Sequence, residues 1–185
     1  GFHQPVRVLY GGTYEPKDGV ENLIDGFERA CEQVDAVLIL TGSGSPSRMD
    51  AIQRRIAAAR HRDRIQCRGY LADAEHYRTL READILCMTR VGTGFARGGF
   101  PFKLGEYLAT GNPVIASRVS DVEEFLTDGV NAVLIEPDSA LAVADAIVEL
   151  ARDPDRALRI GAAGRETAAE HFDRDLLSRR LRNLL

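Results

Sequence analysis

Lys103 and Glu106 stand three residues apart in the segment FPFKLGEYLATGNPVIAS, Phe100–Ser117, a spacing that places both side chains on one face of a helix. Pro101 suits a first helical position and Gly111 a helix stop, so the segment predicts a helix over Pro101–Thr110 and a strand opening at Pro113. The glycine-bearing stretch Arg90–Gly99 feeds that helix. A helix start is an anion site, because its first N–H groups lack intrahelical partners and the dipole favours negative charge. Here that start is Gly99–Phe102. A cation near a phosphate and a carboxylate deeper in suit a nucleoside diphosphate and its ribose. The same two residues also fit a plain surface ion pair, worth about 0.2–0.5 kcal/mol. In either reading Leu104 and Leu108, one turn apart, form the core-facing stripe.

The elements that must position these residues follow from periodicity. Strands are predicted at Val6–Tyr10, Ala36–Thr41, Arg64–Cys67, Asp84–Met88, Pro113–Ala116 and Ala132–Ile135. Helices are predicted at Gly19–Val34, Pro46–Arg60, Ala74–Ala83, Pro101–Thr110 and Asp121–Thr127, with a helical tail of Ser139–Arg152, Pro154–His171 and Arg174–Leu184. Asp18, Ser45, Asp73 and Ser120 occupy N-cap positions. Strands alternating with helices imply right-handed βαβ units and a six-stranded parallel sheet covered on both faces: an α/β, doubly wound, Rossmann-like fold. With 185 residues and no repeat or low-complexity linker, residues 1–185 read as one domain.

In such sheets ligands bind beyond the carboxyl ends of the strands, and the unusual residues gather on that rim. Gly11-Gly12-Thr13-Tyr14 follows the first strand, Gly42-Ser43-Gly44 the second and Gly69-Tyr70 the third. The long Thr89–Gly99 connection follows the fourth. The opposite rim carries ordinary turn residues. Any one glycine pair fits a tight turn; four such loops on one rim point to a phosphate or nucleotide site. Arg90 and Arg97 fit either that site or a solvated loop.

Other classes are disfavoured. A net charge of −4 argues against a nucleic-acid footprint. Cys31, Cys67 and Cys87, odd in number and widely spaced, read as reduced thiols and imply a cytoplasmic setting. The four histidines lack metal-ligand spacing, and no apolar run has the length of a membrane span. The turn GGTYEPKDG lacks the dinucleotide fingerprint, and neither a P-loop nor a G-x-S-x-G elbow occurs. The chain opens at Gly1 without a methionine and reads as a piece of something longer.

Taken together, YGGTYEPKDGVENLIDGF, LILTGSGSP, IQCRGYLADAEHYRTLREADILCM, GGFPFKLGEYLATGNPVIAS and the DGVNAVLIEPDSALAVADAIVELARDPDRALRIGAAGRETAAEHF tail make nearly the whole chain resemble the C-terminal, donor-binding domain of glycosyltransferase family 4. These are the retaining group 1 transferases of the two-domain GT-B fold. The resemblance implies transfer of a sugar from a nucleoside diphosphate sugar, UDP- or GDP-linked. The acceptor, a glycan or glycolipid, would be held by an N-terminal domain absent from this chain, so that the fragment alone is inactive. It implies polysaccharide or glycolipid assembly, a cytoplasmic location, and membrane contact only through the missing domain, at the inner face. No cofactor or metal is expected.

By the same resemblance, Glu106 matches the second of the family's paired glutamates, which holds the ribose, while Gly98 stands in place of the first. No catalytic residue is therefore assigned. Gly12 or Thr13 stands near the position of a diphosphate-binding arginine, and Lys17, with Asp18 beside it, near that of a lysine. Lys103 and Arg90 are expected to supply the charge from across the cleft. The expected donor site comprises Gly12, Thr13, Lys17, Gly42, Ser43, Gly69, Tyr70, Arg90, Gly98, Gly99, Phe100, Phe102, Lys103, Leu104 and Glu106, with Gly69-Tyr70 bordering the base. The alternatives are a related GT-B epimerase, a phosphorylase-like enzyme, and a non-catalytic nucleotide-binding subunit.

Overall fold

A computed structural model describes residues 1–92 and 103–173. The sheet is built from β1 (Val6–Thr13), β2 (Ala36–Ser43), β3 (Ile65–Gly69), β4 (Ile85–Met88), β5 (Val114–Ser117) and β6 (Val133–Ile135). All pair in parallel, in the order β3-β2-β1-β4-β5-β6. Between and after them lie α1 (Val20–Ala30), α2 (Pro46–Ala58), α3 (Asp73–Arg81), α4 (Lys103–Ala109), α5 (Val122–Phe125), α6 (Ala140–Arg152) and α7 (Pro154–His171). Single 3₁₀ turns at Pro16–Asp18 and Arg62–Arg64 complete the elements. The expected doubly wound sheet is observed. The predicted Arg174–Leu184 helix and the Pro101-Phe102 start of α4 lie outside the described residues.

Two apolar layers hold the sheet. On one face Val8, Tyr10, Leu38 and Leu40 pack with Leu23 and Phe27 of α1, Ile52 of α2 and Val143 and Ile147 of α6. On the other, Leu9, Leu86, Met88 and Val114 pack with Leu80 of α3, Leu104 and Leu108 of α4 and Val122 of α5. α7 contributes Ala157 and Ile160 to the first layer and Ala168 to the second. All of β4 and β5 is buried, as expected of inner strands covered on both faces. Asp84, 5% exposed, accepts hydrogen bonds from the N–H groups of His3 and Arg7 and contacts His3 Nδ1 at 2.8 Å, tying the chain start to the entry of β4.

Five local expectations are corrected. β1 continues past Tyr10 through Gly11-Gly12-Thr13, and β2 past Thr41 through Gly42-Ser43, because the ladder simply runs on: Gly12 opposes Gly42 and Thr13 opposes Ser43. Gly42 permits this, since its φ of 114° is unfavourable for other residues and a Cβ there would lie 1.7 Å from the Gly12 carbonyl oxygen. Asp18 does not cap α1. It ends the 3₁₀ turn with its side chain buried, and Gly19, at φ 65°, stands in the cap position. Asp73 is the first residue of α3 after Ala72, and Asp121 rather than Ser120 precedes α5. Ser45 caps α2 as predicted, accepting from the Arg48 N–H.

Candidate functional site

The strand order reverses between β1 and β4, and the crevice at such a reversal is where open α/β sheets take ligands. Lys103, at the start of the described part of α4, reaches back over the end of β1. Its Nζ donates to the Tyr10 hydroxyl at 3.2 Å and sits 4.8 Å from the centre of the Tyr10 ring. The Asp18 Oδ1 is 4.0 Å away. Gly12 makes the room, for a Cβ there would fall 2.0 Å from Nζ. Burial lowers the Lys103 pKa, the nearby positive charges of Arg90 and Lys17 push the same way, and Asp18 and Glu106 oppose them. The positive charges of Lys17, Arg90 and Lys103, from three segments, are thus close enough to act on one another. The turn after β1 and the segment after β4 are also joined directly, by the Val91 N–H donating to the Lys17 carbonyl at 3.1 Å.

Beneath these cations is a polar floor. The Thr13 hydroxyl donates to Asp18 Oδ2 at 2.5 Å, and the Glu15 N–H donates to the same oxygen at 3.3 Å. The Tyr10 hydroxyl donates to the Thr13 carbonyl at 2.5 Å. Burial, with Asp18 adding to it, raises the Tyr10 pKa well above its ordinary value, so the phenol stays neutral and serves as a hydrogen-bonding post.

Beside the cations opens a cavity of about 300 Å³. Gly12, Thr13, Gly42 and Ser43 line it from the strand ends, Tyr70 and Leu71 from the connection after β3, and His76 from α3. Tyr70 is 77% exposed, a ring free to cover a flat group. The Glu106 carboxylate, half exposed, lies 3.6 Å from His76 Nε2. A hollow of similar size, about 320 Å³, sits at the opposite rim around His3, Arg7 and Arg68, away from the crevice.

The structure thus brings together most of the residues singled out from sequence. Lys103 lies over Gly12 at the crevice, within electrostatic reach of Lys17 and Arg90, and Gly12, Thr13, Gly42, Ser43 and Tyr70 line the adjoining cavity. Lys103 and Glu106 do not form the surface ion pair weighed as an alternative: the first pairs with Asp18, the second with His76. Leu104 is wholly buried in the second core layer, so its side chain packs the helix rather than facing the cleft. Gly69 ends β3 at φ 69° beside Tyr70 with open space around it. Gly98, Gly99, Phe100 and Phe102 lie outside the described residues.

Sequence reasoning missed Tyr10, His76 and Tyr107. Tyr10 ends a predicted strand and Tyr107 lies within a predicted helix, and their hydroxyls matter through contacts with segments distant in sequence. His76 stands in the polar run DAEHYRTLR, where nothing marks it out.

The chain is similar to known proteins over most of its length. The family model described as "Glycosyl transferases group 1" matches residues 5–153. The chain is 33% identical over 168 residues to a phosphatidyl-myo-inositol mannosyltransferase of Mycobacterium leprae, covering 90% of this chain and 42% of that protein. It is 30% identical over 190 residues to a GDP-mannose-dependent monoacylated alpha-(1-6)-phosphatidylinositol monomannoside mannosyltransferase of Corynebacterium glutamicum, covering 100% of this chain and 48% of that one. The chain therefore spans under half the length of these relatives. Its fold matches the crystal structure of Anabaena HepE in complex with UDP-glucose, at a TM-score of 0.85 and 20% identity, over 96% of this chain and 48% of the other. Among the described residues no helix is long and apolar enough to cross a membrane.

Proposed function

The chain belongs to the group 1 glycosyl transferases, and from that membership we propose that it holds the nucleoside diphosphate sugar donor of a retaining glycosyltransferase. The observation that carries this reading is Lys103 held over Gly12 where the strand order reverses, within electrostatic reach of Lys17 and Arg90 and beside the cavity that ends at Tyr70. The diphosphate lies against the three cations, Glu106 accepts from the ribose hydroxyls, and the base lies along Gly69-Tyr70. Cleavage of the glycosidic bond builds negative charge on the departing diphosphate. Cations already fixed at that place stabilise the transition state more than the ground state. The acceptor, glycan or glycolipid, belongs to protein outside this chain.

One relative is named for GDP-mannose and one fold neighbour is bound to UDP-glucose, so the test uses both bases. A thermal-shift panel of UDP-, GDP- and ADP-sugars should raise Tm for one base class. Binding adds RT ln(1 + [L]/Kd), about 2.7 kcal/mol at a hundredfold excess over Kd. Lys103→Ala should weaken that ligand about tenfold or more, since a charge-assisted hydrogen bond is worth roughly 1.5–3 kcal/mol. No response to any of the three, or unchanged affinity in the variant, contradicts the reading.

A further inference from the structure

Asp18 is a carboxylate only 3% exposed, and its hydrogen bonds from Thr13 and Glu15 both come from neutral donors to Oδ2. A buried charge left uncompensated is costly, and the compensating cation here comes from a different segment: Lys103 Nζ, 4.0 Å from Oδ1. That distance is too long for a direct hydrogen bond. Of the three ammonium donors, one goes to the Tyr10 hydroxyl at 3.2 Å, and among the described residues no other hydrogen-bond partner of Nζ is found. Asp18 thus attracts the ammonium without occupying its donors, and Tyr10 and the missing side chain of Gly12 define where it stops.

We propose that Asp18 is the positioning residue for Lys103, holding its ammonium over Gly12 with donors left for an incoming diphosphate. The inference rests on the reading of Lys103 as a diphosphate ligand given above. The groups that act on the ammonium are Asp18 and Lys17 from the turn after β1, Tyr10 from β1, Arg90 from the segment after β4 and Glu106 from α4 itself. Asp18 and Glu106 are the acidic members, and Asp18 is the buried one. Removing its charge leaves only the half-exposed Glu106 to oppose burial and the charges of Lys17 and Arg90, so the lysine gives up its proton at lower pH.

Calorimetric titration with UDP and GDP from about pH 7 to pH 10 tests this. Wild-type affinity should fall on the alkaline side as Lys103 deprotonates. Asp18→Asn keeps an acceptor for Glu15 and a polar partner for Thr13 but removes the charge. It should move the midpoint of that fall down by about 1–3 pH units, the size of effect an opposite charge exerts at this range. Adding Lys103→Arg to Asp18→Asn should remove the Lys103 part of the fall, because arginine stays charged, leaving only what Lys17 and the nucleobase contribute. An unchanged midpoint in Asp18→Asn overturns the proposal. Should that variant fail to fold, carbon-13 NMR of the wild-type protein decides: the Asp18 carboxyl carbon should show an inflection at the pH where the Lys103 ε-carbon titrates, and its absence overturns the proposal equally. If Lys103→Ala leaves both affinities unchanged, the diphosphate reading fails, while the coupled NMR titration still judges the Asp18–Lys103 link.

Discussion

The Tyr107 hydroxyl holds both backbone polar atoms of Gly11, accepting its N–H at 2.8 Å and donating to its carbonyl at 2.8 Å. Successive residues of a parallel strand direct these groups alternately to its two neighbours. Pairing of β1 with β4 reaches only Leu9, opposite Leu86, so two residues further on Gly11 faces that side without a ladder partner. The tyrosine takes the place of a strand. Because Tyr107 lies one turn beyond Lys103, the same contact sets α4 against the end of β1 and brings Lys103 over Gly12.

Tyr107→Phe should therefore leave a buried N–H and a buried carbonyl unpaired at Gly11. The expected loss is about 1–3 kcal/mol per group, or several degrees in Tm for a chain of this size. Nucleotide affinity should fall with it. Urea unfolding and calorimetry on the same preparation check both; wild-type stability would show that Gly11 finds another partner.

Glu106 and His76 face each other across 3.6 Å at the cavity edge. Glu106→Gln should weaken a ribonucleoside diphosphate about tenfold, a loss of about 1.4 kcal/mol, while scarcely affecting the 2′,3′-dideoxy analogue. His76→Gln should reduce the same discrimination by freeing the carboxylate to turn away. Equal wild-type affinity for ribo and dideoxy ligands would contradict the ribose role.

Gly12 and Gly42 separate site from fold. At Gly42 an added methyl meets the Gly12 carbonyl oxygen, a backbone atom, at 1.7 Å, whereas at Gly12 the atom in the way is the tip of the Lys103 side chain at 2.0 Å. Both also carry positive φ, 150° and 114° for Gly12 and Gly42, a strain of order 1–3 kcal/mol for other residues. Gly42→Ala should be the more destabilising in thermal melts. Gly12→Ala should lose more nucleotide affinity than stability, because the lysine is displaced.

Burial raises the phenol pKa values of Tyr10, Tyr14 and Tyr107 above the ordinary 10.0. Above about pH 10 the unfolded chain has released these protons and the native chain has not, so the unfolded state binds fewer protons and stability falls as pH rises further. Phenolate absorbance should show the three ionising only with global unfolding, and the transition should move to higher pH in Tyr14→Phe. A smooth titration of all five tyrosines before the loss of circular dichroism would refute it.

Much of the fold was legible because parallel strands buried on both faces leave apolar runs, and the helices between them carry caps and punctuation. Ser45 before Pro46 and the Pro154 start of α7 are local signals, and each was read correctly. The ends of β1 and β2 were not, since glycine usually marks a turn. Only the pairing of Gly12 with Gly42 makes those glycines strand. Asp18 looked like a cap for a related reason: its type suits one, but the side chain turns inward toward Thr13 and Lys103.

By itself the sequence determined the order of the elements, the rim on which the glycines gather, and the candidacy of Lys103 and Glu106. Those are properties of neighbours along the chain: periodicity, capping and spacing. The partners of those charges were decided only by the tertiary structure. Lys103 meets Asp18 rather than Glu106, and Glu106 meets His76, because the reversal of strand order lays α4 across the end of β1 and beside α3. Spacing on one helix establishes which side chains share a face; what that face meets depends on packing between distant segments.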